Sequence, residues 1–506
     1  MTEDKIVDLD ELADICKREK EKGKKIVLCH GCFDLLHPGH IRHLKVAKKY
    51  GDVLVVTVTP DRFVKKGPGR PVFNEQLRME QIASLQFVDY VALNKWDTAI
   101  ETIKLLKPDF YVKGKDYSDR SKDITGNILL EEEAVKEVGG EIKFTYEITF
   151  SSSQLINQHF NILSKEAKEY VEGLKRDYSS DEIIDVLKNL KDLKVLVIGD
   201  AILDEYIFCK AIGKPEKAAA VSTKYLYREM YPGGSLAVAN HVAGFTSEVY
   251  LVTCLGKNDS GEEFIENNLK DNIQTDFVYR RDGPTIVKRR YIEEFNKNKL
   301  FEISEMNDDF IDKKVEDEVL ERASEYIDKV DILIIADFGH GFITPRIQKF
   351  LTEVDKFVAV NAQTNSANYG FNLITKYKNI DFISIDEKEL RLPYQAKTGQ
   401  IEPLIKKLSR DTNCRKINIT LGASGSIYFQ NGNEYYVPVF SSNIVDTVGA
   451  GDAVLSITSL LASKDVEPRL IPFIGNIAGA LAVEIMGNKE SINPVDLFKF
   501  IKYIMK

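Results

Sequence analysis

Two short stretches of this chain hold most of the side chains whose type and spacing can do chemistry. The first, LCHGCFDLLHPGHIRHL (28–44), carries Cys29 and Cys32 in C-x-x-C spacing and histidines three apart at His37, His40 and His43. The second, DTVGAGDAVLSITSLLAS, starts at Asp446 and sets a glycine-rich turn directly before an apolar helical run. Taken by residue type, the first stretch admits a zinc site, a redox dithiol or a phosphate site.

Spacing separates these three. Cys29 falls inside an apolar strand pattern and His43 about two turns into a helix, so all five side chains cannot converge on one metal. A thioredoxin-like dithiol should open a helix, whereas eight residues, FDLLHPGH, follow Cys32 before this one is under way. The phosphate reading uses more of the letters. A strand leads into Gly31-Cys32-Phe33-Asp34, and His37-Pro38-Gly39-His40 then starts a helix, with Pro38 suited to its first turn and Gly39 permitting close backbone approach. Unpaired N–H groups at that start, with two imidazoles beside them, make an anion site. Nucleotidyl transfer gathers charge on an α-phosphate as pyrophosphate leaves, and each donor aimed at such charge is worth about 2–4 kcal/mol in a dry site. His43 and the cysteines are read as packing residues.

In the second stretch, Gly449, Ala450 and Gly451 can aim backbone N–H groups at a developing negative charge, and Asp452 sits at the helix start as a carboxylate base. The pattern suits phosphoryl transfer, in which the base orients a hydroxyl and the amides stabilise the moving group.

The elements that must position these residues follow from the apolar periodicity. From KIVLCHG to DFYVKG, β-branched runs alternate with helical patterns, which predicts parallel βαβ units over residues 1–160. A charged helical segment over 161–190 reads as a solvated linker. A second α/β region opens at KVLVIGD and occupies 191–506, with further strand signals at VYLVTCLG, DILIIAD, KFVAVNA, DFISID, KINITLG and SIYFQ. The 506-residue length agrees with at least two domains, and 43% hydrophobic with 29% charged residues describes a globular chain.

Other classes are excluded on charge and pattern. A formal net charge of −9 argues against general nucleic-acid binding. The acidic MTEDKIVDLDEL lacks the basic-then-apolar pattern of a secretory signal, and IPFIGNIAGALAVEIMG, interrupted by Asn476 and Glu484, reads as a buried helix rather than a membrane span. A cytoplasmic location is expected. Six cysteines over this length do not form a disulfide framework.

With these residues in place, the first region resembles the H-x-G-H nucleotidyltransferase superfamily, which includes cytidylyltransferases and heptose 1-phosphate adenylyltransferases. KKGPGRPV followed by NEQLRM is similar to its basic loop and E-Q-R helix, KGKDY to its K-G-x-D-Y turn, and FSSSQLI to its S-T-T-x-I-I signature. The resemblance implies a Rossmann-like fold in which His37 and His40 bind the triphosphate and transition state. It implies that Gly31, Phe33, Asp34 and Gly39 shape that site, and that Lys66 or Lys65 holds phosphates together with Arg70. Arg78 would support the basic loop, Lys113, Gly114 and Asp116 would line the nucleotide or sugar-phosphate pocket, and Ser151, Ser152 and Ser153 would cap a helix against the triphosphate. The KGKDY turn favours ATP over CTP as nucleotidyl donor.

The second region resembles the ribokinase/PfkB carbohydrate kinases through DTVGAGD, GDAILDEY, YPGG (Tyr231 to Gly234), IIADFGHG and TLGASG. That implies a ribokinase-like α/β/α domain with a small β lid, Asp452 as base and an anion turn at Gly449, Ala450 and Gly451. It further implies a nucleotide turn at Thr420, Gly422 and Gly425, and sugar contacts from Asp200, Asp204, Gly233, Gly234 and Asn361. Together the two regions are most similar to the bifunctional heptose 7-phosphate kinase/heptose 1-phosphate adenylyltransferases of lipopolysaccharide precursor synthesis, in reversed order. Sugar or sugar-phosphate substrates, Mg²⁺ at both sites and a homodimer through the lid strands around AAVSTKYLY are implied. Three departures mark the kinase half: Ala237 replaces an Asn, Asn361-Ala362-Gln363 replaces Asp-Pro-Lys, and Asp386-Glu387-Lys388-Glu389 replaces N-x-x-E, leaving Glu389 to organise Mg²⁺ through water. Altered sugar specificity is expected from these changes, because buried polar groups must match substrate hydroxyls.

Overall fold

A computed structural model describes residues 3–65, 67, 69–117, 126–146, 163–215, 220–441, 444–464 and 466–506. The chain forms two compact units, Met1–Ser164 with Phe498–Lys506, and Lys165–Leu497.

The first unit is built on a five-stranded parallel sheet. Its strands are β1 (Ile26–Gly31), β2 (Val53–Val58), β3 (Tyr90–Leu93), β4 (Phe110–Gly114) and β5 (Glu141–Thr145), in the order β3-β2-β1-β4-β5. All of β2 is buried, as a parallel strand covered on both faces requires. The order reverses direction beside β1, so the crevice past its carboxyl end is where ligands bind in such sheets. His37 and His40 follow β1 directly. The helix Pro38–Ala47 starts there because His37 is an N-cap in extended conformation and Pro38 occupies the first turn.

The second unit has a nine-stranded sheet ordered β10-β9-β6-β13-β14-β15-β16-β17-β18. Its strands are β6 (Lys194–Gly199), β9 (Glu248–Gly256), β10 (Ile273–Arg280), β13 (Ile332–Asp337), β14 (Phe357–Ala362), β15 (Phe382–Asp386), β16 (Lys416–Thr420), β17 (Ser426–Gln430) and β18 (Asn433–Val437). Pairing is parallel as far as β16 and antiparallel over the last two strands. A separate four-stranded sheet orders β12 (Lys299–Glu305), β11 (Ile286–Glu293), β7 (Ala201–Gly213) and β8 (Ser222–Gly234). These are the fold classes expected for the two regions, lid included.

The 161–190 segment differs from the solvated linker expected of it. It forms helices Lys165–Lys175 and Ser180–Lys188, which bury Ala167, Val171, Leu174, Ile183, Ile184 and Leu187 and belong to the second unit. Tyr170 packs against Phe440 and Phe473. The apolar stripe is narrow, three residues per helix among many charges, so composition conceals it. IPFIGNIAGALAVEIMG forms a largely buried helix only in its first part, within Leu470–Ala482, and among the described residues no helix is long and apolar enough to cross a membrane.

Candidate functional site

In the first unit the strand-to-helix switch brings His37 and His40 together. Their rings stack at 4.0 Å between centroids with planes 23° apart, and Phe33 sets its ring against His40 in an edge arrangement at 5.4 Å. Phe33 has φ +51°, and a Cβ on Gly31 would stand 3.3 Å from its ring, so this turn leaves little room for larger residues. His37 Nδ1 accepts the Gly39 N–H at 3.0 Å. With Nδ1 an acceptor, the neutral ring carries its proton on Nε2. Burial holds the His37 pKa below the usual histidine range, so the neutral, Nε2-protonated form prevails at pH 7. The pair can therefore offer a fixed ring N–H beside a helix start, the donor set that a pentacoordinate α-phosphate needs.

Several expected phosphate ligands serve other partners here. The Asp34 carboxylate accepts from Val72 N and Phe73 N at 3.0 and 3.2 Å and from Arg70 Nε at 2.6 Å, so it latches the basic loop instead of facing a nucleotide. The Arg70 side chain is 1% exposed, enclosed by that ion pair rather than open to a phosphate. Arg78 is fully buried and donates to the carbonyls of Cys32, Phe73 and Thr59 and to Asp61. Lys113 is buried and pairs with Glu131 at 2.8 Å, over the ring of Tyr111. Gly114 ends β4 beside it, with open space where a Cβ would stand. Asp116 lies in the turn Lys115–Tyr117, its side chain outside the described residues, as are Lys66 and Ser151, Ser152 and Ser153. His43 bonds Thr145 Oγ1 at 2.7 Å, its pKa pushed down to about 4 by burial and by Lys113, which fits a packing role. Cys29 and Cys32 are buried, unlinked thiols, and burial pushes the Cys29 thiol up, away from nucleophilic or redox chemistry.

In the second unit two cavities meet at Asp452. The larger, about 570 Å³, is lined by Thr420, Gly422, Gly425, Ala450, Asp386 and Glu389 among others. The smaller, about 340 Å³, is lined by Asp204, Gly234, Lys288, Arg290, His340 and Asn488 among others. Thr447, Gly451, Asp452 and Gln363 border both. Asp452 thus stands between a large cleft suited to a nucleotide and a small polar one suited to a sugar.

The helix Ala450–Ser463 opens at this junction with Gly449 as its N-cap at φ +84°, and no side chain caps it. A Cβ on Gly449 would fall 2.0 Å from Asn488 Oδ1, and one on Gly451 would meet nothing within 4 Å. The turn demands glycine at the first position, and no N-cap side chain covers the first-turn amides. Gly425 is similarly required, since a Cβ there would reach 2.0 Å from Val437 O.

Burial, followed by the nearby Asp204 carboxylate, pushes the Asp452 pKa up to about 7, with Lys288 opposing. A base poised there is half ionised near neutrality. The sign for stability is opposite to that for catalysis. A carboxyl that holds its proton more tightly when folded costs stability as pH rises above the ordinary carboxylate range, whereas a general base gains activity as it ionises. Phosphoryl transfer in this unit is therefore expected to show a kcat/KM that rises through a limb near pH 7; a profile flat from pH 5.5 to 8.5 would remove Asp452 as the base.

Asp200 and Asn361 are placed differently from expectation. Asp200 is buried and accepts the Phe338 N–H at 2.9 Å, anchoring the loop after β13 without lining the smaller cavity. Asn361 borders the larger cavity and donates to Ser384 O at 2.7 Å. Gly234 lines the smaller cavity, and Cβ atoms on Gly233 and Gly234 would fall 2.3 Å from Asp204 Oδ2 and 2.4 Å from Asp200 O. Ala237 is buried in the helix Ser235–Ala243. The site gains residues that the motifs had not marked, chiefly Lys288, Arg290 and Asn488. Lys288 and Arg290 alternate with Ile286 and Ile292 on the buried face of β11, and two cations at apolar register positions were the available signal.

Glu389 and Asp386 form a reciprocal cap, Asp386 Oδ1 accepting Glu389 N at 2.8 Å and Glu389 Oε2 accepting Asp386 N at 2.9 Å. Glu389 also accepts Thr364 N at 2.9 Å, and burial followed by Asp386 pushes its pKa up to about 8. Among the described residues no cluster of three or more ligating side chains could hold a metal outright. Two carboxylates on one cavity wall, each committed to backbone amides, fit a hydrated cation arriving with a nucleotide.

Residues 192–494 match the family model described as pfkB family carbohydrate kinase, and residues 28–186 match the one described as cytidylyltransferase-like. Among curated proteins, bifunctional protein HldE of Geobacter metallireducens is 39% identical over 170 residues, 33% of this chain and 32% of that protein. The protein of the same name from Sulfurimonas denitrificans is 47% identical over 114 residues, 22% of this chain and 24% of its own length. The matched stretches thus span a third or less of these relatives. Phosphofructokinase-2 of Escherichia coli, solved with potassium, superposes with a TM-score of 0.51 at 15% identity, covering 62% of this chain and 100% of that one, a likeness of fold.

Proposed function

Because the chain belongs to the pfkB family of carbohydrate kinases and carries a cytidylyltransferase-like segment ahead of that region, we propose that it is a bifunctional enzyme of activated-sugar synthesis. Its second unit transfers the γ-phosphoryl group of ATP to a sugar hydroxyl, and its first joins a nucleoside monophosphate to a sugar 1-phosphate with release of pyrophosphate. The observation that carries the kinase half is Asp452 at the junction of the two cavities, beside an uncapped helix start. Asp452 takes the hydroxyl proton as the oxygen attacks, and the amides of Gly451 and Asp452 meet charge on the moving phosphoryl group. Bound with the nucleotide, Mg²⁺ supplies charge neutralisation at the triphosphate, with Asp386 and Glu389 as its water-mediated partners.

The smaller cavity points to a sugar that already carries a phosphate. Arg290 is committed to Asp204 and to Glu302, the latter at 2.9 Å. Lys288 lines the same cavity, 8% exposed, and among the described residues no carboxylate stands within ion-pair distance of it. Burial depresses its pKa, a cost that an anionic substituent would offset. Lys288→Ala is expected to raise KM for a sugar phosphate about 10–100-fold, the worth of a charge-assisted hydrogen bond, with KM for ATP unchanged. An unchanged sugar-phosphate KM would point to an uncharged sugar.

AMP is the favoured nucleotidyl group, on the KGKDY turn, with an ADP-heptose-like product for a surface polysaccharide as the family precedent. A product bearing CMP and none bearing AMP, when ATP and CTP are offered together, would overturn that choice. A homodimer through the lid sheet is supported by exposed Tyr225, Phe301 and Ile303 on its strands.

A further inference from the structure

Phe498–Lys506 fold with the first unit, far in sequence from its sheet. Within that unit Tyr503 and Phe500, 2% and 1% exposed, pack beneath the basic loop. Gly67 has φ +104°, and a Cβ there would stand 2.7 Å from Tyr503 Cδ1 and 3.2 Å from Phe500 Cδ2, so the loop backbone rests directly on these rings. The guanidinium of Arg70 lies 5.7 Å from the centroid of the Tyr503 ring. Arg70 in turn donates to Asp34 at 2.6 Å, and Asp34 holds the amides of Val72 and Phe73. Asp34 is three residues before His37. A continuous line of contacts therefore runs from Tyr503 through the loop to the turn that sets the two imidazoles.

We propose that Tyr503 is a positioning residue for nucleotidyl transfer: its ring supports Gly67 and faces Arg70, which fixes the basic loop and, through Asp34, the His37–His40 turn. This rests on the reading of the first unit as a nucleotidyltransferase. No motif of that unit predicts it, because the residue lies outside the sequence that forms the rest of the site. The ring acts by a cation–ring contact in a desolvated setting and by van der Waals support of a glycine backbone, both of which phenylalanine retains and alanine does not.

The test uses the full chain, with pyrophosphate release and ADP formation measured separately for Tyr503→Ala, Tyr503→Leu and Tyr503→Phe. Tyr503→Ala should raise KM for the nucleoside triphosphate in pyrophosphate release about tenfold or more, the scale of one desolvated cation–ring contact, and leave ADP formation unaltered. Tyr503→Phe should restore that KM. Tyr503→Leu keeps apolar volume and hence folding, and should still show the raised KM because the ring face is gone. An unchanged KM in Tyr503→Leu, or a Tyr503→Phe as impaired as Tyr503→Ala, would overturn the proposal. Absence of pyrophosphate release from the parent chain would instead overturn the nucleotidyltransferase reading beneath it.

Discussion

Asp452→Asn should abolish ADP formation, with kcat falling about 10²–10⁴-fold, while pyrophosphate release by the same chain stays at the parent level. The substitution keeps the shape of the side chain and removes its capacity to take a proton. Asn can orient a hydroxyl, but the proton leaving that hydroxyl then has no acceptor at the junction of the cavities. A loss of fold is distinguishable from a loss of chemistry by melting temperature. Asp452 is buried beside Asp204, and its pKa of about 7 means that its ionised form is disfavoured in the folded chain. Removing it should therefore raise the melting temperature most at pH 8, less at pH 5, and little below about pH 4, where the carboxyl is protonated in both the folded and the unfolded chain. A variant that is inactive and less stable at pH 8 would point to a structural role instead.

The second large effect is expected at the paired imidazoles. His40→Ala and His37→Asn should each lower pyrophosphate release about 10²–10³-fold and leave ADP formation intact, the loss expected for one donor aimed at transition-state charge. Asparagine is the informative change at His37. His37 is both a ring donor and the N-cap of the helix Pro38–Ala47, accepting the Gly39 N–H. Alanine would remove both roles and cost about 0.5–2 kcal/mol of cap stability, whereas asparagine is itself a favoured cap. If His37→Asn keeps its melting temperature and loses rate, the imidazole is chemical. If rate survives, His37 is a cap and the phosphate reading fails at its centre.

The parts of this protein that were legible in sequence share one property: their chemistry and their local structure are specified by the same few neighbours. His37-Pro38-Gly39-His40 is such a case, because Pro38 and the capping histidine start the helix that the proposed anion site needs. Gly449-Ala450-Gly451-Asp452 is another, since the positive φ of the turn and the position of the proposed base are both encoded within four residues. The apolar parallel strands of both larger sheets were visible for the same reason, as continuous β-branched runs.

What stayed hidden depends on partners distant in sequence. Arg70 reads as a phosphate ligand until Asp34, thirty-six residues earlier, is seen to hold it. Asp200 has the right motif position, yet its carboxylate anchors Phe338 N across the sheet. Asn361 lines the larger cavity and not the smaller one. Lys288 is the converse, a residue without a motif that becomes informative only when β11 is seen to bring it to the cavity that Asp204 and His340 also line. The cysteines that spacing singles out are buried thiols, and for Cys29, inside β1, burial pushes the thiol up.

The most direct test of the account follows both products from one chain. Parent, Asp452→Asn and His37→Asn proteins are each given ATP, Mg²⁺ and either a sugar phosphate or a sugar 1-phosphate, with ADP and pyrophosphate quantified in parallel. Both products are expected from the parent, with loss of ADP alone in Asp452→Asn and loss of pyrophosphate alone in His37→Asn. A parent that releases neither product, or a single substitution that leaves its assigned product at the parent level, would contradict it.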